Sequence, residues 1–135
     1  MSWKFLDESV PSERPPLPDD FGVGSEVIVR EHYGSCHGTV IFVGRVWVKI
    51  ELAQFSGIVH RFRLDTQEDG SNRGTPGYFR TPEQQRFFEA QADAAKYLHT
   101  IGVRMEYGTP MLRGKVLELA RLIHRSGLVP NVIEP

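Results

Sequence analysis

Between residues 26 and 64 the chain is built almost wholly of short apolar runs separated by turn residues, and this most narrows what it can fold into. Val46, Val48 and Ile50 alternate with Arg45, Trp47, Lys49 and Glu51. Successive side chains of a strand point to opposite faces, so the first set looks toward a core and the second away from it. Val27 and Val29 alternate in the same way with Glu26, Ile28 and Arg30, and a run Gly38-Thr39-Val40-Ile41-Phe42-Val43 follows the turn residues Tyr33-Gly34-Ser35. A fourth run places Ile58, His60, Phe62 and Leu64 inward, with Val59, Arg61 and Arg63 outward. Four short strands with brief connections predict a small, strongly bent sheet or barrel.

The pattern then changes. Residues 67–80 hold Gly70, Gly74 and Gly77 among Asp, Ser, Asn and Pro, the composition of a long loop. Tyr78 and Phe79 return the chain to the core as a short closing strand. Thr81-Pro82-Glu83-Gln84 is a helix start: a capping threonine, a proline where a missing N–H costs nothing, and a glutamine placed to cap reciprocally. The spacing predicts a helix over 82–100 with Phe88, Ala92, Ala95 and Leu98 on one stripe, widened by Phe87, Ala94 and Ile101 and stopped by Gly102. A second helix is expected from Thr109-Pro110 to Gly127, facing the core with Leu112, Val116, Leu119 and Ile123, flanked by Ala120 and Leu122.

At the other end, Pro11, Pro15, Pro16 and Pro18 stand among acidic and serine residues and predict a flexible leader over 1–21. Trp3 and Phe5 are its oddity. Aromatics in such a place either pack back on the same domain or serve as anchors for a partner.

The formal net charge of the 135-residue chain is −1. The first twenty residues carry five acidic side chains against two basic ones, which leaves a mildly basic body. With Cys36 as the single cysteine, no intramolecular disulfide forms, and a reducing cytoplasm is the expected setting. Neither a long apolar span nor the apolar core of a signal peptide is visible, so no membrane association is expected.

Catalytic and metal chemistry find little footing. Glu31, His32, Cys36, His37 and His60 could supply ligands, but a Cys-His pair without a second cysteine lacks the spacing of a zinc site, and His60 reads as a hydrogen-bonded core histidine. Gly70-Ser71-Asn72-Arg73-Gly74-Thr75 lacks the Gly-Lys-Ser/Thr ending of a phosphate loop. Asp65, Glu68 and Asp69 read as turn formers. No enzymatic activity and no cofactor are expected.

The chain carries two resemblances. Gly24-Ser25-Glu26-Val27-Ile28-Val29, Gly34, Gly38-Thr39-Val40 and Val46-Trp47-Val48 together resemble the KOW-type pattern of SH3-like barrels. Over residues 23–126, Val-Gly-Arg-Val-Trp-Val at 43–48, His-Arg-Phe-Arg-Leu-Asp-Thr at 60–66, the Gly-rich loop, Thr-Pro-Glu-Gln at 81–84 and a Leu-rich last helix resemble small β-barrel-domain proteins of actinobacterial phages. The last helix opens Thr-Pro-Met-Leu at 109–112, a departure from that group's usual opening. The resemblance implies an accessory protein of a phage or mobile element and transfers no catalytic residue. The expected fold class is α+β: an SH3-like β-barrel over 22–66, then the loop, then two C-terminal helices over 81–126 packed on the barrel, and a tail from 127.

Two functions are expected on these grounds. One is a protein-binding adaptor or inhibitor of host machinery, anchored through exposed aromatics such as Trp3 and Phe5 and needing no chemistry. The other is nucleic-acid binding on the outward strand face, where Arg45, Trp47, Lys49, Arg61 and Arg63 combine cations for phosphate with an aromatic plane for bases. The bland alternative for that face is a solvated or helix-covered surface.

Overall fold

The computed structural model describes residues 3–54, 57–70, 76–103 and 115–127. They fall into two compact units, Pro16–Gln85 and the described residues of Met1–Pro15 with Arg86–Pro135.

In the first unit the alternating runs become strands β1 (Glu26–Glu31), β2 (Gly34–Val43), β3 (Trp47–Leu52), β4 (Val59–Arg63) and the short β5 (Tyr78–Arg80). They form one antiparallel sheet in the order β4-β3-β2-β1-β5. The sheet curls into a half-barrel. Val27, Val29, Val40, Val48, Ile50, Leu52, Phe62 and Phe79 fill its concave side, and Leu17 and Phe21 pack against them. Curling also brings together strands that are not neighbours: His60 Nδ1 on β4 lies 2.9 Å from Glu31 Oε1 on β1. Val46 and Ile58, expected inward, are 44% and 46% exposed because each lies just outside a strand.

The segment after β4 closes the sheet. The Gln67 N–H donates to Arg63 O, Arg63 N–H to Glu68 O, and Phe79 N–H to Gln67 O. Gln67 takes a left-handed backbone (φ 59°), a strained state for a residue with a side chain, and its buried amide holds it there. Its Nε2 donates to Phe79 O (2.9 Å) and to Gln84 Oε1 (2.7 Å), and Gln84 Nε2 donates back to Gln67 Oε1 (2.9 Å). Gln84 also closes the capping box, accepting from Thr81 N–H (3.1 Å) while its own N–H donates to Thr81 Oγ1 (3.2 Å). One glutamine therefore starts helix α1 (Pro82–Thr100) and fixes the turn ahead of β5.

In the second unit the buried residues of α1 are Phe87, Ala90, Ala94, Tyr97 and Leu98, while Ala92 and Ala95 face solvent. The expected stripe is thus rotated. Alanines on several sides of a helix leave the apolar face ambiguous, and the large Tyr97 decides it. Helix α2 (Val116–Ser126) buries Val116, Leu117 and Ala120 and leaves Leu122 62% exposed; the expected start at Thr109-Pro110 and Leu112 lie outside the described residues. Gly127 ends α2 in the left-handed conformation (φ 71°) that glycine adopts without steric cost.

Where the sequence predicts a flexible leader, the structure has Trp3, Phe5 and Val10 buried in one cluster with α1 and α2 residues. Phe5 and Tyr97 ring centroids are 4.9 Å apart, and Trp3 meets Tyr97 edge-on at 5.6 Å. Burying each such side chain stabilises by about 1.5–3 kcal/mol, which a proline-rich composition does not reveal. The polar clamp is Arg121 of α2. Its guanidinium donates to Phe5 O (2.7 Å), Asp7 O (2.9 Å), Val10 O (2.8 Å) and Ser12 Oγ (3.1 Å). Arg86 adds bonds to Asp7 Oδ2 and Ser9 Oγ.

Candidate functional site

The convex face of β2, β3 and β4 carries the outward residues. Strand register places Lys49 opposite Arg61 and Trp47 opposite Arg63, and directly opposed residues of antiparallel strands share a face. The Arg61 guanidinium carbon lies 4.0 Å from the Trp47 ring centroid and that of Arg63 lies 5.7 Å away, both within cation–π range. Gly70 adjoins the same indole: a Cβ there would lie 3.4 Å from its rim. Trp47 is half-buried, flanked by cations and the loop; the surface presented to solvent is the exposed Arg61.

Arg63 is held differently. Its Nε and Nη2 donate to the two Asp65 oxygens at 2.9 Å each, a fork that matches a carboxylate. That hydrogen bonding, first from Arg63 and then from the Thr66 N–H, lowers the Asp65 pKa below its ordinary value, and raises that of Arg63. Arg63 is therefore paired with a carboxylate while its guanidinium also lies 5.7 Å from the Trp47 ring centroid. Arg45, in the β2–β3 turn, Lys49 and Arg61 are exposed and form no ion pair with a carboxylate among the described residues. Glu51, two residues beyond Lys49 on β3, bounds the basic patch at one end.

A residue that sequence reasoning left unassigned joins this face. Phe42 belongs to a continuous apolar run, which by itself assigns no face. Val40 pairs with Ile50 and points inward, so regular alternation would also turn Phe42 inward. A register shift between Val40 and Phe42 instead sets Phe42 opposite Lys49, and Val43 opposite Val48. One extra residue in the strand re-aims the side chains after it, the usual effect of a β-bulge. Phe42 is 49% exposed, with Lys49 Nζ 5.4 Å from its ring centroid.

Trp3 and Phe5, the expected partner anchors, are 2% and 0% exposed. Buried side chains offer a partner nothing to grip, and packing back within the same unit is the reading that describes them. Of the residues considered for metal, Glu31 and His60 meet as a pair, 2.9 Å apart. Cys36 is buried and His37, next to it on β2, points to the opposite face. Among the described residues no three His, Cys, Asp or Glu side chains group as metal ligands. Burial, and secondarily Glu31, raises the Cys36 pKa, which disfavours the reactive thiolate. No helix of the described residues is long and apolar enough to cross a membrane.

The family model for a phage ProQ C-terminal-like domain matches residues 1–125. Comparison with curated proteins and with solved structures found no match.

Proposed function

Because the chain belongs to the phage ProQ C-terminal-like domain family, we propose that it is a phage accessory protein that binds nucleic acid on the convex face of β2–β4, without catalysing a reaction. One observation carries this reading: Lys49 and Arg61 stand exposed on the same face as Trp47 and Phe42, without carboxylate partners among the described residues, and Arg45 is exposed in the turn that leads into β3. A phosphate backbone meets such cations by releasing its condensed counterions, so binding falls as salt rises. Planar groups beside them add contacts to bases. Work in the cytoplasm of a bacterial host suits a protein of this kind.

The test is binding to labelled single- and double-stranded DNA and RNA across a salt series, for the native chain and for Lys49→Gln, Arg61→Gln and Arg45→Gln. Affinity should fall steeply with salt, and each variant should reduce the slope by about 1 if its cation meets a phosphate. Absence of binding at low salt, or slopes unchanged in all three variants, would refute the proposal. The adaptor reading, with a host or phage protein as partner and weak salt dependence, would then take its place.

A further inference from the structure

From the bulge at Val40–Phe42, and resting on nucleic-acid binding by the convex face, we infer that this face takes single-stranded nucleic acid, holding two adjacent unpaired bases on two planar platforms. The first platform is the Arg61 guanidinium seated on Trp47. The second is the ring of Phe42, exposed opposite Lys49. Phe42 and Trp47 stand diagonally across the β2–β3 pair, about 7–8 Å apart by strand geometry. Each platform has its own cation: Arg61 over Trp47, and Lys49 over Phe42 at the longer distance of 5.4 Å.

Duplexes do not suit this arrangement. Their bases are stacked on one another and offer only edges, whereas both platforms present flat surfaces that need an open base face. A surface built for phosphates alone would not need an exposed phenylalanine. Here a bulge turns outward a side chain that regular pairing would bury, and bulges re-aim side chains at sites of use. The cost of leaving Phe42 in water is offset if a base covers it. Charge complementarity selects the occupant: Lys49 lies at the apolar ring and Arg61 stands opposite Lys49 on the next strand, which suits a polyanion carrying aromatic bases.

The experiment compares three probes of equal length: a single strand, the same strand with abasic sites throughout, and its duplex. Each is titrated with the native protein, Phe42→Ala, Phe42→Trp and Arg61→Lys. Phe42 is a surface residue, so these variants keep the core; a thermal melt of each confirms it. The single strand should bind best. Phe42→Ala should lose about 5- to 150-fold on it, the cost of one base–aromatic stack, with the abasic strand and the salt slope unaffected. Phe42→Trp should restore binding, and Arg61→Lys, which keeps charge and loses the plane, should weaken only the base-bearing strand. Equal affinity for all three probes, or an equal loss on the abasic strand, would overturn the inference while leaving phosphate-directed binding intact. Failure of every probe to bind at low salt would remove both.

Discussion

Arg121→Ala tests the clamp that holds the leader against the helices. The guanidinium makes four bonds, of which those to Phe5 O, Val10 O and Ser12 Oγ are partly buried and that to Asp7 O is exposed. Water replaces the exposed bond at little cost. Each of the other three contributes about 0.5–1.5 kcal/mol net, which places the loss at about 1.5–4.5 kcal/mol. For a unit of this size the melting midpoint should fall by on the order of 10 °C. Trp3 reports this unit and Trp47 the other, so urea unfolding followed by fluorescence in a Trp47→Phe background reads the leader alone. Arg121→Lys should lose an intermediate amount, since one ammonium cannot span the acceptors that a planar fork reaches. An Arg121→Ala unfolding curve within about 0.5 kcal/mol of the parent's, the size of an ordinary surface change, would refute the clamp.

Gly77→Ala should destabilise the sheet unit by about 1–3 kcal/mol in chemical denaturation, because an added Cβ would lie 2.3 Å from Glu31 Oε2 and displace the carboxylate that meets His60; an unchanged midpoint would show that Glu31 moves aside freely. The Asp65 carboxyl should titrate below its ordinary value of 3.8 in NMR, since Arg63 favours its charged form. A depressed folded pKa gives stability that is present above the unfolded pKa and lost as pH falls through the folded one. Stability should therefore decline below about pH 4, and Asp65→Asn should flatten that decline; a pKa at or above 3.8 would contradict the fork.

Much of the fold is legible in the sequence because its signals are short-range. The two-residue alternation around Val48 and Ile50, the Thr81–Gln84 capping box and the glycine after Ser126 each act within four residues, and the structure has strands, a helix start and a helix end in those places. That Trp47, Lys49, Arg61 and Arg63 share a face is readable from the same alternation, while Arg45 lies in the turn before β3. What sequence alone leaves open is whether Trp47 lies bare or covered, which depends on a loop glycine 23 positions later.

Tertiary structure decided the rest. Trp3, Phe5 and Val10 lie among prolines and acids, a local composition that argues for disorder; their burial depends on helices beginning some eighty residues further on and on Arg121, 116 positions from Phe5. Gln67 holds its strained backbone with bonds to Phe79 O and to Gln84, 12 and 17 positions away. Phe42 faces outward because the β2–β3 register slips by one residue, and register belongs to a pair of strands, written in neither alone. Periodicity and capping are properties of a segment and can be read from it, whereas burial, register and side-chain clamps arise only when distant segments meet.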